Sequence, residues 1–369
     1  KEPFISAVEF YPPKDLNSAE VAYAYNQVLI NRDIVSLLYY WASDNHIKIT
    51  INKDDSFKLK KINELDDKHK EYEKTLFKDI FKAGDGKKVT DKDLKDATID
   101  SINDSKGDIK RYFKNERELV DKSSVKKARL IGLLPAISIL LTFIYDGILS
   151  HDLSFSLLVS GILIVLLLIC TESFIAFSKS NSKNKYVGKK KVSSIVLKSY
   201  LLLVYIVVNF IFLKYSELPA SSMILTFLVS IMGLVLSGLV IKRTSYGKDI
   251  LAQIEGFRNF MEVAEKERLE ALLEDDPYYF YNTLPYAQVL GVTKKWIDKF
   301  DGISMNQPDY YDTYYPMRDI YAINMLNSSL NNVTSTVSQS AYSPSSSSDG
   351  FDGGGFSGGG GGGGGGSSW

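Results

Sequence analysis

The sequence is poor in the residues that usually carry chemistry. Its 369 positions include one cysteine, Cys170, three histidines and three tryptophans. One thiol excludes an internal disulfide, and Cys170 lies in an apolar run where it is expected to pack as a small hydrophobe. Histidines scattered at 46, 69 and 151 add no zinc-finger spacing, so no metal and no other cofactor is expected. A Walker loop, a dinucleotide fingerprint and hydrolase signatures are all missing. No catalytic residue can be named, and a non-enzymatic protein is expected. The start, KEPFIS, lacks Met and a signal peptide, which suggests a fragment or a processed product.

Net charge is also missing: 44 Lys and Arg stand against 44 Asp and Glu. The balance hides segregation. Residues 1–127 hold 25 bases and 24 acids, residues 128–241 hold 9 and 4, and residues 242–369 hold 10 and 16. A balanced N-terminal part argues against binding to a phosphate backbone.

What the sequence does have is long apolar runs. Four are long enough to span a bilayer, at 130–149, 153–177, 195–215 and 218–241,. Basic residues crowd their flanks. They run from Lys110 to Arg129 before the first span, from Lys179 to Lys198 between the second and third, and from Lys242 to Lys248 after the fourth. The connections around Asp146 and Asp152, and around Lys214 and Glu217, are short. All basic flanks therefore share one side, the cytoplasm by the positive-inside rule, which puts both soluble parts and the tail there. Glu172 and Asn209 are the candidate intramembrane polar residues. Glu172 is expected to snorkel to the interface or to pair with Lys179. Ser230, Gly233, Ser237 and Gly238 give the fourth span a small-residue face suited to close packing.

Before the spans, Asn17 and Glu20 make a capping pair for a helix from Ala19. A second helix runs from Arg32 to Asp44, with Ile34, Leu37, Leu38 and Trp41 on one face. IKITI and SFKLKKI alternate around Asp54–Asp55 as a hairpin. Helix, helix and hairpin over 12–61 resemble a winged helix, and a similar unit is expected over 68–105. After the spans, Ile250, Ile254, Phe257 and Met261 recur at helical spacing. Tyr286 and Trp296 are apolar anchors, expected in a core but also candidates for partner binding. Residues 320–337 carry a weak amphipathic pattern. The end is low-complexity: Ser-rich, then glycine-rich, with Phe351, Phe356 and Trp369 as candidate partner-binding anchors on a disordered string. No strand precedes the glycine run and no GK[ST] follows it, so it is not a phosphate loop.

Several segments carry a resemblance. YPPKDLNSAEV (11–21), RDIVSLLYYWASDNHIKI (32–49), KRTSYG (242–247), GFRNF (256–260), AEKERL (264–269), LPYAQVLGVTKKWIDKF (284–300) and the GGGFSGGGG tail are similar to the DUF2207 family of bacterial predicted membrane proteins. The resemblance implies an extracytoplasmic β-rich domain and one more transmembrane helix ahead of the YPP segment. It transfers no catalytic residues. It suggests membrane partners, including LemA-like proteins.

The expected fold is mainly α: a polytopic membrane protein with four transmembrane helices. It divides into a winged-helix-like α+β part (1–127), a membrane region (128–241), a C-terminal helical part (242–326) and a low-complexity tail (327–369). The expected function is a membrane scaffold or signal-relaying subunit of a cell-envelope complex, in an oligomer or hetero-complex among membrane lipids and other membrane proteins. A transporter or channel subunit is the alternative. Nucleic acid is not an expected partner.

Overall fold

The computed structural model of the protein describes residues 7–52, 56–90, 93, 99–179, 204–207, 210 and 218–313. The tail with Phe351, Phe356 and Trp369, the pattern over 320–337, Asn209 and most of the 195–215 span lie outside the described residues.

Local signals set the N-terminal elements. Helix α1 (Ser18–Asn26) opens on the capping box: Glu20 N–H donates to Asn17 Oδ1 (3.0 Å) and Asn17 N–H to Glu20 Oε2 (3.2 Å),. Gln27, with φ 58°, ends it. Helix α2 (Asn31–Ser43) is buried nearly all round, with Ile34, Leu37, Leu38 and Trp41 inside. Strands β1 (Ile47–Ile51) and β2 (Phe57–Lys61) pair antiparallel, and their alternation buries Ile47, Ile49, Ile51, Phe57 and Leu59,. Helix α3 (Glu71–Lys82), strand β3 (Lys88–Thr90) and helix α4 (Ile99–Asn115) follow.

Three long apolar helices come next. They are α5 (Lys122–Leu149), α6 (Leu153–Lys179) and α7 (Ala220–Leu239), each long and apolar enough to cross a membrane. Asp146 is inside α5 rather than in the connection, and Ser156 Oγ donates to its carboxylate. The helices pack through small residues, as the sequence led us to expect. Ser230, Gly233, Ser237 and Gly238 are all buried. A Cβ at Gly233 would lie 2.4 Å from Pro135 Cγ, so the proline ring on α5 fills the notch on α7. A Cβ at Gly132 would lie 2.2 Å from Thr171 Cγ2, which sets the α5–α6 approach,. Residues 204–207 are helical, and Tyr205 donates to Ser230 Oγ (2.8 Å) midway along α7.

After the bundle come α8 (Ser245–Val263), α9 (Lys266–Asp275), α10 (Tyr279–Leu290), α11 (Thr293–Lys299) and strand β4 (Tyr311–Thr313). Gly291, at φ 74°, closes α10 in the left-handed region,. Here the structure differs from a chain divided into two soluble parts. One hydrophobic core contains residues from both sides of the membrane region, from Leu16 to Leu119 and from Ile250 to Tyr311. Helix α10 packs on α1 and α2. Strand β4 pairs parallel with β1, Ile49 opposite Tyr311, and the sheet order is β3-β2-β1-β4. The physical reason is that neither part can cover its own apolar faces. The α1–α2 pair needs α10, and the free edge of β1 needs a strand.

The YPP segment and the LPYA segment meet across this core. Tyr11 and Tyr279 stack edge to face at 5.4 Å, as do Phe10 and Phe260 at 4.9 Å. The Tyr286 hydroxyl donates to the Leu16 carbonyl (3.2 Å), and the Tyr279 hydroxyl to that of Phe10.

Candidate functional site

Three places combine polar groups with unusual surroundings. The first is where the chain enters and leaves the apolar bundle. Val120 and Arg243 form an antiparallel bridge. Asp121 N–H donates to the Lys242 carbonyl (3.0 Å), Thr244 N–H to the Leu119 carbonyl (3.2 Å), and Lys242 N–H to Ser124 Oγ (3.0 Å). Gly247 leans so closely on this junction that a Cβ there would lie 2.1 Å from the Leu119 carbonyl oxygen. The start of α5 and the end of α7 are thereby stapled together on the soluble domain.

Beside the staple is a groove of about 630 Å³ between α1, α4, α5 and α6. Its rim carries Lys110, Lys114, Lys122, Lys126, Arg129 and Lys179 against Glu118 and Glu172, and Phe113, Val125 and Ile175 line it with apolar surface. The expected partner of Glu172 is corrected here. Arg129, not Lys179, grips it through Nε (2.6 Å) and Nη2 (3.1 Å). A planar guanidinium facing the carboxylate from about two turns into α5 makes the better-matched fork,. The Arg243 guanidinium instead donates to the Lys179 carbonyl (2.9 Å) at the end of α6.

The second place is a buried polar node. Glu20, fully buried, accepts from Lys70 Nζ and from the Tyr72 hydroxyl (2.9 Å) while completing the α1 cap. Burial raises its pKa above the ordinary carboxylate value. The charge and hydrogen bond of Lys70 and the Tyr72 hydroxyl oppose that rise, and Glu73 adds to it,.

The third place unites two of the histidines. Helix α2 ends at Asp44. Asn45 turns the chain at φ 62°, a conformation asparagine tolerates, and His46 leads into β1,. The 62–70 segment folds over that turn: Ile62 and Asn63 N–H groups donate to the His46 carbonyl, and Asn63 Nδ2 to the Asn45 carbonyl (2.9 Å). This brings in His69, just before α3. His46 Nε2 is 3.3 Å and His69 Nε2 3.4 Å from Asp44 Oδ2. His69 Nδ1 is 2.9 Å from Asp66 Oδ1, and this hydrogen bond holds the Asp66 carboxyl below its usual range. The two imidazoles meet edge to face at 4.7 Å. A cleft of about 700 Å³ opens beside His69, walled by Lys70, Tyr72, Arg111 and Glu116.

Tyr286 and Trp296 do not join any of these places. Both are buried in the core, where Trp296 Nε1 donates to Thr283 Oγ1 (3.1 Å), so neither is exposed to a partner in this state. Sequence reasoning missed the histidine cluster. The signal it could have used is two local pairs, Asp44-x-His46 and Asp66-x-x-His69.

Comparison with known proteins bears on the second half of the chain. Residues 177–300 match the family model of the DUF2207 predicted membrane protein C-terminal domain. This is the family the sequence resembles. The DUF2207 segment runs from the last turn of α6 through α7 and on to α11. It therefore includes Lys242–Gly247 of the staple and the α10–α11 half of the aromatic core. No curated protein and no solved structure matches the chain.

Proposed function

We propose that this is a non-enzymatic membrane protein that couples a helix bundle to a single cytoplasmic domain, as a scaffold or signal-relaying subunit of a cell-envelope complex. The observation that carries the reading is the staple. Because the first and last bundle helices enter the domain side by side and are hydrogen-bonded to each other there, a shift of one helix against another must strain the domain core.

The same junction supports a topology of four crossings. Helix α5 leaves the staple, and α6 returns to it, since Glu172 meets Arg129 and Lys179 meets Arg243. Helix α7 also ends at the staple. A chain that is at the staple at Lys179 and at the far end of the bundle at Leu218 has to cross once more between them. The Tyr205–Ser230 contact at mid-depth agrees with that crossing. The basic rim of the groove supports a cytoplasmic face against anionic headgroups, so membrane lipids are its expected occupants.

The order α1–α2–β1–β2 retains the winged-helix resemblance. DNA reading is disfavoured because α2, the helix that would enter a groove, is buried on nearly every side,. A channel is disfavoured because Glu172, half-exposed and paired with Arg129, does not line the bundle interior.

Crosslinking mass spectrometry on intact membranes tests the proposal. Links from the soluble domain to another membrane protein are expected, and deleting residues 349–369 should weaken them while leaving insertion unchanged. A protein that stays monomeric in mild detergent and gives no such links would sink the scaffold reading.

A further inference from the structure

We propose that Asp44, His46 and His69 bind a divalent transition-metal ion, with zinc as the best chemical fit. The inference is independent of the scaffold reading. It begins with tautomers. His69 Nδ1 faces the Asp66 carboxylate at hydrogen-bond distance, so the proton of a neutral ring belongs there,. That leaves Nε2 with a free lone pair 3.4 Å from Asp44 Oδ2. Nε2 is buried and has no hydrogen-bond partner. His46 and His69 are both more than nine-tenths buried. An imidazole lone pair this close to a carboxylate oxygen is repelled by it unless a cation lies between them.

The spacing suits a metal. A zinc ion with bonds of about 2.0–2.1 Å in tetrahedral geometry sets its ligand atoms roughly 3.3 Å apart. The two edges from Asp44 measure 3.3 and 3.4 Å, and all three ligand atoms lie within 4.8 Å of one another. Two imidazole nitrogens and one carboxylate oxygen favour zinc and its neighbours over calcium or magnesium, which prefer oxygen alone. Asp66 supplies the outer carboxylate that commonly orients a metal-bound imidazole. Asp44 is half-exposed, which leaves a solvent-facing position where water can complete the shell. The ion would fasten the end of α2 to the segment that leads into α3.

The test uses the full chain in detergent, without a histidine tag, stripped with chelator and titrated with zinc. One zinc per chain is expected by elemental analysis and calorimetry. His151→Ala should keep it, and Asp44→Asn and the double variant His46→Ala/His69→Ala should lose it. Asp66→Asn should weaken it by roughly 10- to 100-fold. Because the double variant removes buried rings and could unfold, circular dichroism accompanies each protein, and the half-exposed Asp44→Asn decides if the double variant is unfolded. Wild-type protein that binds zinc no tighter than Asp44→Asn overturns the proposal.

Discussion

At the scale of single residues, Glu20 carries two duties that pull against each other. As a cap it must reach its own helix start, and as a buried acid it must be satisfied by Lys70 and Tyr72. Burial wins, and its folded pKa lies above the unfolded value near 4.5. Such a group adds stability below the unfolded pKa and loses it as pH rises through the folded one. Glu20→Gln keeps the acceptor oxygen and removes the titration. Its melting temperature relative to wild type should therefore climb as pH goes from about 4 to 8. A constant difference across that range, read by thermal denaturation at low salt, would refute the sign. The capping role of this residue was legible, because capping is a local spacing rule. Its burial was not, since Lys70 and Tyr72 come from the start of α3, about fifty residues on. Trp296 shows the same limit. Helical spacing marks it as apolar, but only the packed core reveals Phe260, Tyr279 and Phe300 around it. Trp296→Ala should cost about 3–5 kcal/mol, measured by denaturant titration of the soluble signal.

Between elements, the α5–α7 contact is made by shape rather than by charge. The Pro135 ring sits where any side chain at Gly233 would have to go. Gly161 on α6 is the natural contrast, because a Cβ there would touch nothing within 4 Å. Gly233→Val should lower thermal stability in detergent by several degrees, whereas Gly161→Val should leave it nearly unchanged. Equal effects would mean that the α5–α7 contact is not made at this notch. The small-residue face on α7 could be read from the sequence because it obeys helical periodicity. Strand β4 could not. Its three residues carry no alternation of their own and become a strand only by pairing with Ile49–Ile51, some 260 positions earlier. The histidine cluster was hidden for the same reason. Each half, Asp44 with His46 and Asp66 with His69, is unremarkable locally, and a loop crossing a helix end brings them together. Long-range closure is what local pattern cannot encode.

For the whole molecule, the decisive question is how many times the chain crosses the membrane. Entry and exit share one staple, so the proposed topology calls for an even number of crossings between Asp121 and Arg243. Three such helices are described, and the proposed topology puts a fourth passage between Lys179 and Leu218. The proposal gives opposite fates to two pairs of residues. Cysteines placed singly in a Cys170→Ser background, at Ser150 and at Ser222, should both react with an impermeant maleimide added to intact cells. Cysteines at Ser123 and at Asn306 should react only after permeabilisation. Protection at Ser222 with labelling at Ser150 would remove the fourth crossing. The staple would then have to open in the membrane. Labelling at Ser123 in intact cells would instead invert the whole protein and turn the basic groove outward, away from the anionic leaflet that its lysines fit. The two failures are separable, because crossing number is read from Ser150 against Ser222 and orientation from Ser123 and Asn306 together. If all four residues behave as expected, the domain assembled from both ends of the chain lies against the cytoplasmic leaflet. Any movement among the helices then reaches it through the hydrogen bonds joining Leu119, Asp121 and Ser124 to Lys242 and Thr244.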